Sequence, residues 1–192
     1  MEEFRLSTLR SENTWFGCLV DSRDRLVASA FGPSSKIVQA HLISYSKQHL
    51  ASSAVFGEYS LPREMARLHN GRTSSNPIRL NTDFVSDFQR RVYAVLEKIP
   101  KGRVTTYGSI SKHLASAPRP VGGAVASNPW PLFVPCHRVV NFDLSVGNFS
   151  MCGSLGQSGT STKRSLLERE GVHVRDDQID RSAFWNPSGN KD

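Results

Sequence analysis

Tyr107-Gly108-Ser109-Ile110-Ser111-Lys112-His113-Leu114-Ala115-Ser116-Ala117-Pro118-Arg119-Pro120-Val121-Gly122-Gly123-Ala124-Val125-Ala126-Ser127 reads as two short helices around a tight turn. Tyr107, Ile110 and Leu114 share one side of the first, which runs to about Ala115. Val121 and Val125 are the core contacts of the second, from about Arg119 to Ser127. Pro118 and Pro120 fall in its first turn, where a missing N–H costs nothing. The spacing predicts a helix-turn-helix, a pattern that many small helical folds share. Gly122 and Gly123 lie mid-helix, where each costs about 1 kcal/mol relative to Ala. Two readings accommodate them: a nucleic-acid surface close to the helix backbone, or tight packing inside the domain.

Upstream, Phe84, Val85, Phe88, Val92, Val95, Leu96 and Ile99 recur at helical spacing, with Asp83 as the expected N-cap. Pro100-Lys101-Gly102 stops that helix. Further back, Leu68 to Asn81 turns to Gly, Ser, Asn and Pro and is read as a linker. Before it, Trp15–Val20 and Leu26–Phe31 predict two strands of a hairpin, and Val38–Leu50 predicts a helix. The expected fold is α+β. A small N-terminal domain of antiparallel sheet and helix (1–80) precedes a winged-helix-like domain with the helix-turn-helix (81–175) and a tail (176–192).

Charge follows the same division. The chain carries net +7, and residues 84–175 hold twelve Lys and Arg against five Asp and Glu. Such a patch is the footprint of a nucleic-acid partner, although a solvated basic face has the same composition. The 192 residues are 38% apolar and 21% charged, an ordinary globular composition that excludes disorder throughout. No apolar run reaches the roughly 18 residues of a membrane span, and Met1-Glu2-Glu3-Phe4 lacks the basic start of a signal peptide. An intracellular chain without membrane attachment is expected. Three cysteines without a CxxC argue against a disulfide framework or zinc knuckle, and Cys18, His41 and His49 lack ligand spacing. No required metal or cofactor is expected.

The chemistry centres on Asn128-Pro129-Trp130-Pro131-Leu132-Phe133-Val134-Pro135-Cys136-His137-Arg138-Val139-Val140. Cys136 and His137 are neighbours at the end of an apolar stretch read as a strand. Nearby positive charge lowers a thiol pKa from about 8.5, so Cys136 is the candidate nucleophile. Adjacent side chains point apart in extended chain, so a bridging water is the expected proton relay to His137.

Pro135-Cys136-His137-Arg138-Val139 resembles the active-site signature of the O6-alkylguanine-DNA alkyltransferases. Lys98-Ile99-Pro100-Lys101-Gly102-Arg103-Val104-Thr105-Thr106-Tyr107 is similar to that family's entry to its helix-turn-helix. Pro118-Arg119-Pro120-Val121-Gly122-Gly123-Ala124 resembles its recognition helix, and Val146-Gly147-Asn148-Phe149-Ser150 its pocket loop. Leu166-Leu167-Glu168-Arg169-Glu170-Gly171 resembles its closing helix. The likeness runs from about Phe84 to Val174, in the family's order.

The resemblance implies that Cys136 accepts the alkyl group, His137 takes its proton and Glu170 holds the imidazole. Asn128 would be the hinge asparagine, and Tyr107 the proton donor to the leaving guanine. Val125, Val139, Phe149 and Ser150 would line the base pocket. The carbonyls of Cys136 and Val139 would read the exocyclic amine, and the Ser150 amide would face O6. Arg119 would fill the stack vacated by the flipped nucleotide, with Thr106, Tyr107, Gly122, Gly123, Ala126 and Ser127 along the DNA. The implied partner is double-stranded DNA bound through its minor groove by a monomer, in the nucleus of a eukaryote or the cytoplasm of a prokaryote. Flipping is chemically required, since O6 is enclosed by stacking.

This chain departs from the pattern at Pro120, at Phe149 where Tyr is common, and at Met151–Thr162, which replaces a short Gly-Gly turn. With three glycines and little to bury, that insertion is expected to be a mobile lid beside the pocket, with a passive surface loop as the competing reading. Three other readings compete: an alkyltransferase-like protein, which carries Trp at the nucleophile position; a helix-turn-helix regulator; and a cysteine hydrolase, for which no oxyanion-hole signal is present.

Overall fold

The computed structural model describes residues 3–50, 54–58, 60–73, 78–149 and 159–189. Its described residues divide into two units: 3–84 with Pro129–Phe133, and 85–128 with 134–149 and 159–189.

In the first unit β1 (Phe4–Ser11), β2 (Thr14–Val20) and β3 (Leu26–Gly32) form an antiparallel meander. α1 (Ser35–Leu50) then leads to β4 (Ala54–Phe56), which pairs parallel to β1 in a sheet ordered β3-β2-β1-β4. The expected sheet was antiparallel. β3 and β4 run the same way, and a parallel return needs a crossover, which α1 provides. Val38 and Leu42 of α1 press on Gly17, where a Cβ would sit 2.5 Å from Val38 Cγ1. Phe4, Leu6, Leu19, Ala28 and Ala30 complete that core.

The β2–β3 turn is held by the buried Asp21. Its carboxylate accepts the N–H of Arg23 and of Arg25, the Arg25 guanidinium at 2.7 Å and the Asn81 amide at 2.8 Å. α2 (Leu61–His69), like β1, is an element the sequence pattern did not single out. The expected linker therefore opens inside a helix, and its far end bonds back through the Leu26–Leu80 bridge.

Pro129–Phe133 belongs to this unit although its sequence neighbours belong to the other. Trp130 is fully buried and donates its Nε1–H to Leu26 O at 3.0 Å. Pro129 O accepts the Ser29 N–H at 2.8 Å. The apolar stretch before Cys136 is thus core filling and not a strand.

In the second unit α3 (Asp87–Leu96) buries Val92, Tyr93, Val95 and Leu96. Its N-cap is Ser86, in a reciprocal capping box with Gln89, and not Asp83. Asp83 instead accepts the Arg25 guanidinium at 3.0 Å within the first unit. β5 (Thr105–Thr106) runs straight into α4 (Tyr107–His113), capped by the Thr106 hydroxyl. α5 (Pro118–Ala126) follows, and the Tyr93 hydroxyl ties α3 to it by donating to Ala124 O at 3.0 Å. β6 (Val139–Val140) pairs parallel with β5.

α6 (Gly159–Arg169) leads to the hairpin of β7 (Val174–Arg175) and β8 (Gln178–Ile179). Residues 176–189 are built into this unit. Val104 N–H donates to Ala183 O at 2.9 Å, and Trp185 N–H to Val104 O at 2.7 Å. Val104, Val140, Val146, Leu167, Val172 and Ile179 form the buried cluster beneath.

Candidate active site around Cys136

Pro135 opens a 3-10 turn over Cys136–Arg138, where a strand end had been expected. Arg138 N–H donates to Pro135 O, and the turn feeds directly into β6. Asn128, just past α5, donates its side-chain amide to Val134 O at 2.9 Å and hydrogen-bonds the Cys136 side chain. One amide therefore braces both the exit of α5 and the Cys136 side chain.

Cys136 is buried, and burial pushes its thiol up. The Asn128 hydrogen bond and the charge of Lys163 pull the other way, but desolvation wins. The resting group is a thiol, whereas the sequence argument from nearby positive charge favoured a thiolate. Charge can be counted along a chain, but its desolvation cannot.

His137 Nε2 lies 3.0 Å from Glu170 Oε1, with both side chains buried. Arg138 grips the same carboxylate, Nε to Oε2 at 2.8 Å and NH2 to Oε1 at 2.7 Å, and sends NH1 to Ile99 O at 2.6 Å. Burial raises the Glu170 carboxyl, but the hydrogen bonds from His137 and Arg138 overturn it and hold the group at about 2. Burial keeps His137 below its ordinary range despite that carboxylate. A neutral imidazole beside an ionised Glu must donate from Nε2, and Nδ1 becomes the acceptor. Nδ1 is buried and has no hydrogen-bond partner among the described residues.

Lys163 is a site residue the sequence reading missed. It is 1% exposed, its Nζ donates to Asn148 O at 3.5 Å, and burial brings it down to about 8. A legible signal existed. Lys163, Leu166, Leu167 and Glu170 are spaced three and four apart, so a buried Glu170 places Lys163 on the same inward stripe of α6.

Tyr107 opens α4 half-buried, its hydroxyl pushed up by burial and, when the thiol ionises, by the Cys136 charge. Val125, Val139 and Phe149 are buried. On α5 the exposed or half-buried residues Arg119, Gly122, Gly123 and Ala126 form an outward stripe, with Ser127 exposed just beyond. A Cβ at Gly122 or Gly123 would meet nothing within 4 Å among the described residues, so packing against them does not require either glycine. Ser150, Cys152 and the insertion up to Ser158 lie outside the described residues. Gly159–Thr162, expected as part of the lid, instead form the first turn of α6.

The description "6-O-methylguanine DNA methyltransferase, DNA binding domain" matches residues 87–172. A methylated-DNA--protein-cysteine methyltransferase of Thermococcus kodakarensis is 32% identical over 177 residues, covering 90% of this chain and 95% of its own. The chain belongs to this methyltransferase family. The Archaeoglobus fulgidus methyltransferase is 37% identical over 132 residues, covering 67% of this chain and 84% of its own. Among solved structures, the O6-methylguanine-DNA methyltransferase of Pyrococcus kodakaraensis KOD1 superposes with a TM-score of 0.72 at 30% identity, covering 88% and 99% of the two chains. The α+β fold is the methyltransferase fold. Of the residues the sequence singled out, the structure brings Asn128, Cys136, His137 and Glu170 together as two hydrogen-bonded pairs, Asn128 with Cys136 and His137 with Glu170, linked through the turn that holds Cys136 and His137. Arg138, given no role from sequence, completes it. Among the described residues no cluster of three or more His, Cys, Asp or Glu is placed to hold a metal ion, and no helix is long and apolar enough to cross a membrane.

Proposed function

We propose that this methyltransferase repairs DNA by taking the alkyl group of an O6-alkylguanine onto Cys136 in a single turnover. The observation that carries the reading is the relay joined to the nucleophile's own turn: His137 follows Cys136 directly and is 3.0 Å from a Glu170 that Arg138 keeps ionised. As the base enters, the Cys136 proton passes through a water to His137 Nδ1, and Glu170 stabilises the imidazolium that forms. Sγ attacks the alkyl carbon in line, the new S–C bond forms, and the C–O6 bond breaks. Tyr107 donates a proton to the departing guanine, and the thiol proton balances the exchange. The thioether is chemically stable and no group among the described residues is arranged to remove it, so each chain acts once.

The substrate reaches this buried thiol extrahelically. Arg119 occupies the vacated stack while α5 lies in the minor groove, where its glycines let the duplex approach the backbone. Val125, Val139, Phe149 and Ser150 enclose the base. The protein acts as a monomer where genomic DNA resides. An alkyltransferase-like binder carries Trp where this chain has Cys136.

Incubation with a duplex containing O6-methylguanine, followed by intact-mass and peptide analysis, is the test. One methyl group per chain, located on Cys136, is expected. A chain that stays unmodified, or a methyl group on Cys18 or Cys152, removes the assignment. Arg119→Ala should slow transfer from duplex far more than from free O6-benzylguanine.

A further inference from the structure

The last turn of α5 ends on a carbonyl that no backbone N–H among the described residues takes. In a continuing helix the Asn128 N–H would donate to Ala124 O. It donates instead to Val125 O at 3.4 Å, and the Ser127 N–H goes to Gly123 O at 3.0 Å. Ala124 O is thus one of the orphan acceptors that a helix C-terminus leaves. Two side chains answer it. The Tyr93 hydroxyl donates to it at 3.0 Å and the Ser127 hydroxyl at 3.1 Å. Tyr93 reaches across from α3 and is 3% exposed, whereas Ser127 is exposed and its bond competes with water. Ala124 is itself buried, and a buried carbonyl left unpaired carries the full cost of its desolvation. The phenol is the protected donor that lets α5 stop there. Burial above all, with the Cys136 charge when the thiol ionises, pushes the phenol up, so it stays a donor through the neutral range.

The residue released at that point is Asn128. Outside the helix, its side chain donates to Val134 O at 2.9 Å and hydrogen-bonds the Cys136 side chain, a bond that favours the ionised thiol. One more helical residue would put the Asn128 side chain on the surface of α5, turned with the helix and away from Val134. We propose that Tyr93 is a positioning residue for alkyl transfer: by capping Ala124 O from α3 it ends α5 where Asn128 can reach the Cys136 thiol. That role rests on Cys136 being the acceptor proposed above.

The experiment compares wild type with Tyr93→Phe, Asn128→Ala and the double variant, each at a temperature where its unfolding curve shows it fully folded. Transfer is measured from free O6-benzylguanine and from a duplex containing O6-methylguanine. Iodoacetamide labelling of Cys136, followed by peptide mass against pH, reads the thiol directly. Tyr93→Phe keeps the ring and loses one hydrogen bond, so it should slow both transfers about fivefold and to the same extent. Its labelling midpoint should move to higher pH, as that of Asn128→Ala should. In the Asn128→Ala background Tyr93→Phe should cost no further rate, because the two act through one contact. A wild-type rate in Tyr93→Phe overturns the proposal. So does a Tyr93→Phe that melts earlier but keeps the wild-type labelling midpoint, or one whose loss simply adds to that of Asn128→Ala. A loss confined to the duplex would make Tyr93 a support of the DNA face and not of the thiol, and also overturns it. A wild type that accepts no alkyl group would remove the transfer reading, and the labelling midpoints would then decide for or against Tyr93 on their own.

Discussion

Glu170 and Arg138 are joined by two hydrogen bonds, at 2.8 and 2.7 Å, and the oxygen Arg138 NH2 holds is the one His137 faces. The guanidinium therefore fixes the carboxylate's charge and direction before any substrate arrives. A buried carboxylate without such a clamp would take up a proton and lose its hold on a donating imidazole.

Acid should accordingly weaken the fold in two stages. His137 is neutral in the fold below its ordinary 6.5, so the unfolded chain binds the extra proton and stability falls as pH drops through that value. The similarly depressed His41 contributes with the same sign. Glu170 is held at about 2 against an ordinary 4.5, so its contribution is complete above about 4.5 and is lost as pH falls toward 2. Thermal unfolding followed across this range should show a shallower second decline in Glu170→Gln, the remainder belonging to Asp21, Asp87, Asp143 and Asp180, whose carboxyls are also held low. An identical profile in the variant would mean that the clamp does not hold the charge.

Removing the guanidinium should be costlier than removing the whole pair. Arg138→Met leaves a buried carboxylate without its counter-charge, held only by the His137 hydrogen bond, and should cost about 3–5 kcal/mol. The double variant Arg138→Met with Glu170→Leu should recover much of that stability but none of the transfer activity. Denaturant unfolding and single-turnover methyl transfer, measured on the same preparations, separate the two effects.

Lys163 should be an electrostatic aid to the thiol and no asset to stability. Its burial is what lowers it to about 8. Lys163→Met is therefore expected to unfold at or above the wild-type temperature. Its transfer rate near neutrality should be about tenfold slower, because the thiol loses the nearby positive charge that lowers its pKa. The wild-type rate should also stop rising with pH above about 8, as that cation discharges. A variant whose pH profile superimposes on wild type would exclude this role.

Glycines 122 and 123 should trade stability for DNA binding. Neither would crowd the chain as alanine, and each substitution removes a helix penalty of about 1 kcal/mol. Gly122→Ala and Gly123→Ala should thus be more stable alone yet bind duplex more weakly. Unchanged affinity would show that no nucleic acid approaches this part of α5.

Gly159→Ala should disturb the base pocket from α6. A Cβ there would lie 2.2 Å from Phe149 O, so the helix start or the pocket loop must move. A loss of about 1–3 kcal/mol is expected, with a changed ratio of benzyl to methyl transfer. A fully stable variant with the wild-type ratio would make this close contact irrelevant to the pocket.

What the sequence determined by itself was whatever depends on local periodicity and short-range chemistry. The stripe of α3, the paired helices with prolines in a first turn, and the adjacency of Cys136 and His137 were all readable because their partners lie within a few positions. Even there a neighbour could mislead: Asp83 and Ser86 are both good caps, and Arg25, distant in sequence, takes the first. Only the tertiary structure decided the rest. Trp130 and its neighbours read as a strand, yet their apolar surface fills a core and finds no ladder of its own. Lys163 reads as a solvated cation until its stripe on α6 is seen to be buried. Cys136 reads as activated by charge until its desolvation is weighed. Glu170 meets His137 across 33 intervening steps of chain, and no local pattern distinguishes that glutamate from an exposed one. Burial and long-range pairing set the charge states on which the chemistry turns, and both are properties of the folded chain.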